Sequence, residues 1–194
     1  MSKEKPILFK DDMVRAILEG QKTQTRRIIK PQPEGGAMWT PFAPQRYVNG
    51  VGNPLICRYG QPGDRLWVRE TFAVLGDEDK HVLHYRATHP IKGSGWKPSV
   101  HMPRWASRIT LEITSVRIER LQDISGEDSA AEGVTGPIGS PRAYGVVTKQ
   151  FARDQFMRLW ESINGPDSWQ VNPWVWVIEF ERIDREGEHA FTVE

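Results

Sequence analysis

The sequence predicts an α+β fold: a small mixed β-barrel with short helices packed against it and long loops at one end. Three observations carry this reading. Strand-like and helix-like stretches are mixed, without the regular β-α-β alternation that builds a parallel sheet. The clearest strand, RITLEITSVRIERL (108–121), changes phase along its length, with Ile109, Leu111 and Ile113 alternating before Val116 and Ile118 take over. Such a slip predicts a β-bulge or tight bend near Thr114–Ser115, as strands of small barrels have. Finally, long stretches rich in proline and glycine keep no period and read as loops.

Taken in order, PILF (6–9) reads as a short strand. Asp11 suits a helix N-cap, and Val14, Ile17 and Leu18 fall on one helical face, with Gly20 past the last turn. The chain then leaves through TRRII as an extended segment. Residues 31–63 carry prolines at 31, 33, 41, 44, 54 and 62 and read as an inserted loop. A Gly63–Asp64 turn enters the strand RLWVRE (65–70), where Leu66 and Val68 share a side. HVLHYRA (81–87) is a further strand, and 87–105 is a basic and aromatic loop. SGEDSAAEG (125–133) is a short helix capped by Ser125, with Asp128 three residues on and Gly133 stopping it. An irregular stretch follows. TKQFARDQFMRLWESING (148–165) is a helix with Phe156, Leu159, Trp160 and Ile163 inward, and PWVWVIEFERI (173–183) is the last strand, with Trp174, Trp176, Ile178 and Phe180 aligned.

With 194 residues, the chain is long enough to bury a core without metals or disulfides, and its one cysteine, Cys57, permits no intrachain bridge. Eight tryptophans are more than a core needs, so some are expected to line a groove. No apolar run suits a signal peptide or a membrane span, which predicts a cytoplasmic protein with no membrane partner. The net charge of +1 argues against bulk, nonspecific nucleic-acid binding. It is unevenly spread: residues 184–194 form an acidic tail with one base and four acids, leaving a local basic patch open on the rest.

Phosphate-loop, HExxH and CxxC patterns are missing, and the five histidines lack metal-ligand spacing, so no metal or cofactor is expected. What stands out is GQKTQTRR (20–27). A lysine beside a threonine hydroxyl is a base and nucleophile pair, provided the chain turns after Gly20 so that Lys22 and Thr25 converge. Lysine is protonated at neutral pH, so it accepts a proton only if burial or positive neighbours, here Arg26 and Arg27, depress its pKa. The alternative is a solvated basic edge. Glu132 lies in the last turn of the 125–133 helix, where the macrodipole disfavours a carboxylate and a nearby Lys22 would compensate it.

The pattern G-x-K-T-x-T-x-R, at Gly20, Lys22, Thr23, Thr25 and Arg27, resembles the signature of ASCH domains, members of the PUA-like superfamily. The ordered Gly63–Asp64 turn, the long strand leading to a helix that ends near Glu132, and WVIEF (176–180) are similar to the same family. GDRLWVRE and HMPRWASR resemble a longer form common in bacteriophages and prophages. The resemblance covers residues 1–183, as one domain. It implies a PUA-like barrel and, through the N4-acetylcytidine amidohydrolases, a catalytic set of Lys22 as proton acceptor, Thr25 as nucleophile and Glu132 as proton donor. The insertions at 31–62, 87–105 and 134–147 set this chain apart from that compact branch. The function expected on this basis is an amidohydrolase of an N-acylated pyrimidine nucleoside or related modified base. Arg27, Arg69, Arg104 and Trp105 are then candidates for substrate contact, and Glu70 for orienting a basic residue of the site. The rival expectation is a noncatalytic RNA-binding module whose basic loops grip phosphate, and a nuclease has no metal or histidine pair to favour it.

Overall fold

The computed structural model describes residues 2–41, 47–75, 82–89, 95–134 and 149–183. By its contacts the chain divides into two units. One comprises Met1–Gly20, Tyr59–Thr114 and Phe180–Glu194, the other Gln21–Arg58 and Ser115–Glu179. The division falls at Thr114–Ser115, where the strand pattern of the sequence changes phase.

In the first unit, β1 (Glu4–Leu8) pairs in parallel with β5 (Arg65–Arg69), which pairs antiparallel with the start of β8 (Thr110–Arg120). Alternation puts Ile7, Leu66, Val68, Leu111 and Ile113 into the core, all essentially without exposed surface. Helix α1 (Asp11–Leu18) buries Val14, Ala16 and Ile17. Asp11 is its first helical residue and not its cap: Lys10 occupies the N-cap position and its side chain does not cap the helix, while Asp11 and Asp12 lie in the first turn at the positive helix end. Gly20 takes the left-handed conformation, φ 71°, that lets the chain turn away after the helix. A strand absent from the sequence reading, β6 (Phe72–Leu75), forms a hairpin with β7 (Val82–Tyr85) and packs Phe72 against Met102 and Ala106.

In the second unit, β2 (Gln24–Ile28) pairs antiparallel with β9 (Trp174–Ile183), Gln24 opposite Glu179 and Ile28 opposite Val175. Helix α3 (Lys149–Asn164) lays Phe156 and Trp160 onto Val175 and Val177, with Leu121, Ile124 and Trp169 completing the cluster. The Phe156 ring lies 6.1 Å from Trp160 and 6.2 Å from Trp169. Ile163, expected inward, is 41% exposed, because the buried stripe runs through Ala152, Phe156 and Trp160. Helix α2 (Gly126–Ala131) begins as its sequence says: Ser125 Oγ accepts from the Asp128 N–H at 2.9 Å.

The architecture is α+β. The expected closed barrel is not formed: among the described residues the strands make one five-stranded and two two-stranded sheets. In the second unit β2 pairs with β9 on one side, and its other flank is met by the end of α2. The 31–63 segment is not wholly irregular either. It contains the hairpin β3 (Ala37–Trp39) and β4 (Tyr47–Asn49). The irregular stretch 134–147, beyond Val134, and the acidic tail lie outside the described residues.

The base of that hairpin is a backbone-to-backbone contact. A Cβ on Gly50 would lie 2.6 Å from both the Cα and the carbonyl oxygen of Gly35. Only hydrogen fits there, and the Gly50 N–H donates to Glu34 O at 2.8 Å alongside. Gly50→Ala is therefore expected to cost about 1–3 kcal/mol of stability, the usual penalty for overpacking, read as a shift in urea midpoint.

Candidate functional site

Lys22 sits between the turn after Gly20 and the start of β2. The Thr23 N–H donates to Ala131 O at 2.9 Å, and Lys22 makes a β-bridge with Glu132, so the end of α2 docks along the edge of β2. The Lys22 side chain is fully enclosed (0% exposed), and that of Glu132 nearly so (3%). Its Nζ donates to Glu132 Oε2 at 2.7 Å, to the Glu132 carbonyl at 2.9 Å and to the Gln24 carbonyl at 2.8 Å. Three donors thus meet three acceptors, and one of those acceptors is a carbonyl at the negative end of α2. The Gln24 carbonyl belongs to the peptide unit entering Thr25, which is itself 3% exposed.

Burial pushes the Lys22 ammonium below its ordinary 10.5. Glu132 opposes this, while the charges of Arg27 and Arg26 act in the same direction as burial. The solvated basic edge is thereby excluded for Lys22 and Arg26, whose side chains have no exposed surface. A stability slope follows. The unfolded chain holds the lysine proton up to about 10.5, and the folded chain releases it at lower pH. Between those two pH values the unfolded state binds more protons, so stability rises with pH. Lys22→Met is expected to flatten that rise in denaturation curves measured across the alkaline range.

Around this pair lies an ionic network that the sequence reading did not assemble. Arg26 donates to Glu119 at 2.9 Å, Asp128 at 3.1 Å and Glu132 Oε1 at 3.4 Å, and its guanidinium lies 5.9 Å from the centre of the Phe156 ring. Arg117 bonds Glu119 at 2.5 Å, Asp128 at 3.2 Å and Glu179. With the Gln24 amide turned so that its oxygen faces Arg26 Nη1, its nitrogen lies 3.1 Å from Asp128 Oδ1. Burial raises the Asp128 carboxyl, but the Arg26 and Arg117 charges outweigh it and hold the group below its usual range. A signal for this was present: Arg117 and Glu119, two apart, put opposite charges on the same face of one strand.

The other expected residues divide by unit. Arg27 lies on β2, two residues from Thr25 and opposite Trp176. Arg69, Glu70, Arg104 and Trp105 belong to the first unit. Arg69 donates to Met102 O at 3.0 Å and lies 5.2 Å from the centre of the Trp67 ring, and Arg104 holds Glu4 with two hydrogen bonds of 2.6 and 2.8 Å. Glu70 accepts two hydrogen bonds from the Arg108 guanidinium, at 2.8 and 2.9 Å. Burial raises the Glu70 carboxyl despite that partner. Trp105 is 65% exposed. No helix among the described residues is long and apolar enough to cross a membrane.

The chain matches no protein-family model and no curated protein. Among solved structures it is similar to protein EF3133 from Enterococcus faecalis V583, described under family DUF984. The identity is 10% and the TM-score 0.44, over 98% of this chain and 86% of that one. A likeness at that level transfers neither fold nor function.

Proposed function

We propose that the chain is an amidohydrolase of N-acylated pyrimidine nucleosides or a closely related modified base, with N4-acetylcytidine as the model substrate, on a PUA-like frame. One observation carries the reading: an enclosed lysine, depressed in pKa, in contact with a glutamate and with the peptide unit that enters a buried threonine. A lysine kept only for stability gains little from such a position, since buried ion pairs contribute little net stability.

The chemistry runs as acyl transfer. The reactive form has a neutral Lys22 amine and a protonated Glu132, the tautomer of the ion pair. Thr25 Oγ attacks the amide carbonyl, forming a C–O bond, and its proton passes to Lys22 Nζ. The C–N bond then breaks as Glu132 protonates the leaving amine, giving cytidine and an acyl-threonine ester. Water attacks the ester and gives a proton to Glu132. Lys22 returns its proton to Thr25 Oγ, and the acid is released. One water is consumed per amide, and both protonation states are restored.

The test is direct: purified protein with N4-acetylcytidine, following cytidine and acetate. Stoichiometric release of both is expected. No turnover, together with RNA binding that weakens steeply with salt, would instead establish the noncatalytic module.

A further inference from the structure

Ladder partners in an antiparallel pair point to the same face, and alternate residues along a strand do too. Thr25 is opposite Ile178 and Arg27 opposite Trp176, so these four share one face of the β2–β9 ladder. The other face carries Arg26 opposite Val177, and it is closed by Phe156 of α3. A substrate for Thr25 therefore approaches on the Trp176 face. Thr25 is buried, so it must arrive through a cavity and not across open surface.

A cavity of about 470 Å³ has Trp176 in its wall, together with Ile29, Pro54, Leu55, Asn49 and Asn53. That volume lies in the range of roughly 300–1,000 Å³ that holds small ligands. Its lining joins one indole and aliphatic carbons with side-chain amides and the charged groups of Lys30, Glu34 and Arg58, which suits a planar heterocycle with polar edges. Asn49 is fixed through its oxygen, which accepts from the Val51 and Asn53 N–H groups at 3.2 and 2.8 Å, leaving its two amide N–H donors for other partners. Thr25 and Arg27 are not in this lining, and the link to their face is Trp176, the diagonal neighbour of Thr25 at about 7–8 Å for such positions.

We infer that this cavity is the nucleoside pocket of the proposed reaction, with Trp176 as wall for the pyrimidine ring and Asn49 and Asn53 as its polar rim. The inference rests on the amidohydrolase reading for the identity of the ligand. The exocyclic amide points along β2 past Arg27 toward Thr25, and the ring occupies the Trp176 end.

Binding of cytidine, which requires no catalysis, separates the two claims. Asn53→Trp places an indole at an exposed position of the wall, and Ile56→Trp, likewise exposed, is the second variant in case the first misfolds. In calorimetry, wild type binds cytidine, and the variants bind it at least about tenfold more weakly, with KM for N4-acetylcytidine raised in proportion and kcat retained. Cytidine binding lost in the variants of a wild type that turns nothing over would support the pocket and overturn the reaction. Turnover that needs Thr25 but is unchanged in folded Asn53→Trp and Ile56→Trp would leave the reaction standing and overturn the pocket. A wild type that fails to bind cytidine at all overturns the pocket as well.

Discussion

Thr25→Val is expected to reduce turnover of N4-acetylcytidine to the uncatalysed level while keeping the wild-type circular dichroism spectrum. Valine preserves the branched shape of threonine on β2 and removes only the nucleophilic oxygen. Lys22→Met is expected to be equally inactive, since it removes the amine that contacts the Gln24–Thr25 peptide unit and is the proposed proton acceptor. Glu132→Gln lowers kcat by about 10²–10⁴-fold, the range for loss of a general acid. The double variant Lys22→Met/Thr25→Val is no worse than either single one, because residues acting as a unit do not contribute additively. In wild type, kcat/KM is expected to fall as rising pH removes the Lys22 proton, with a midpoint below the ordinary 10.5, because the pair then lacks the proton that its reactive tautomer carries. Retention of a tenth or more of wild-type activity by Thr25→Val would remove the nucleophile from the scheme.

The largest expected stability loss is at Arg26. Arg26→Met leaves Glu119, Asp128 and Glu132 without the guanidinium they share, in a region where Glu132 is 3% exposed. Removing one member of a buried ionic cluster costs about 3–5 kcal/mol, because the remaining charges stay desolvated. Urea unfolding should show this as a lower midpoint at unchanged slope. The pH dependence shifts too. In wild type the Asp128 carboxyl titrates in the folded protein below its unfolded value, so its stabilisation is present above the unfolded pKa and lost as pH falls through the folded one. Without Arg26 that folded pKa rises toward the unfolded value, so the acid-side loss is smaller and is complete at a higher pH. An unchanged urea midpoint would mean that the cluster contributes no net stability.

Residues with one strong local reason were legible in the sequence. Ser125 announced α2 because a hydroxyl before an acidic first turn has one good use, and Leu66 and Val68 announced β5 by alternation. Lys22 and Glu132 were brought together from opposite ends of the chain by a helix-end argument and a family pattern, and they meet at 2.7 Å. What escaped the reading depends on two-sided or distant burial. β9 is buried on both faces between Val175 and Ile178, so alternation could flag only one of them. β6, FAVL, is a short apolar run with no period to read. Ile163 was placed inward by helical spacing, but the buried stripe passes through Ala152, Phe156 and Trp160 and leaves it 41% exposed. The Arg26 cluster draws its acids from β8 and α2, about a hundred residues away. Local spacing does not encode such a meeting.

The glycine contact between residues 35 and 50 has a consequence for substrate choice. Glu34, Asn49 and Asn53 line the cavity proposed as the nucleoside pocket, and all three lie at the legs of the β3–β4 excursion, where the backbones are cinched together. The intervening tip can then lengthen, shorten or change composition without widening the floor beneath it. On the proposed reading, a chain built this way is free to try new edges against a base while the wall of the cavity stays in place.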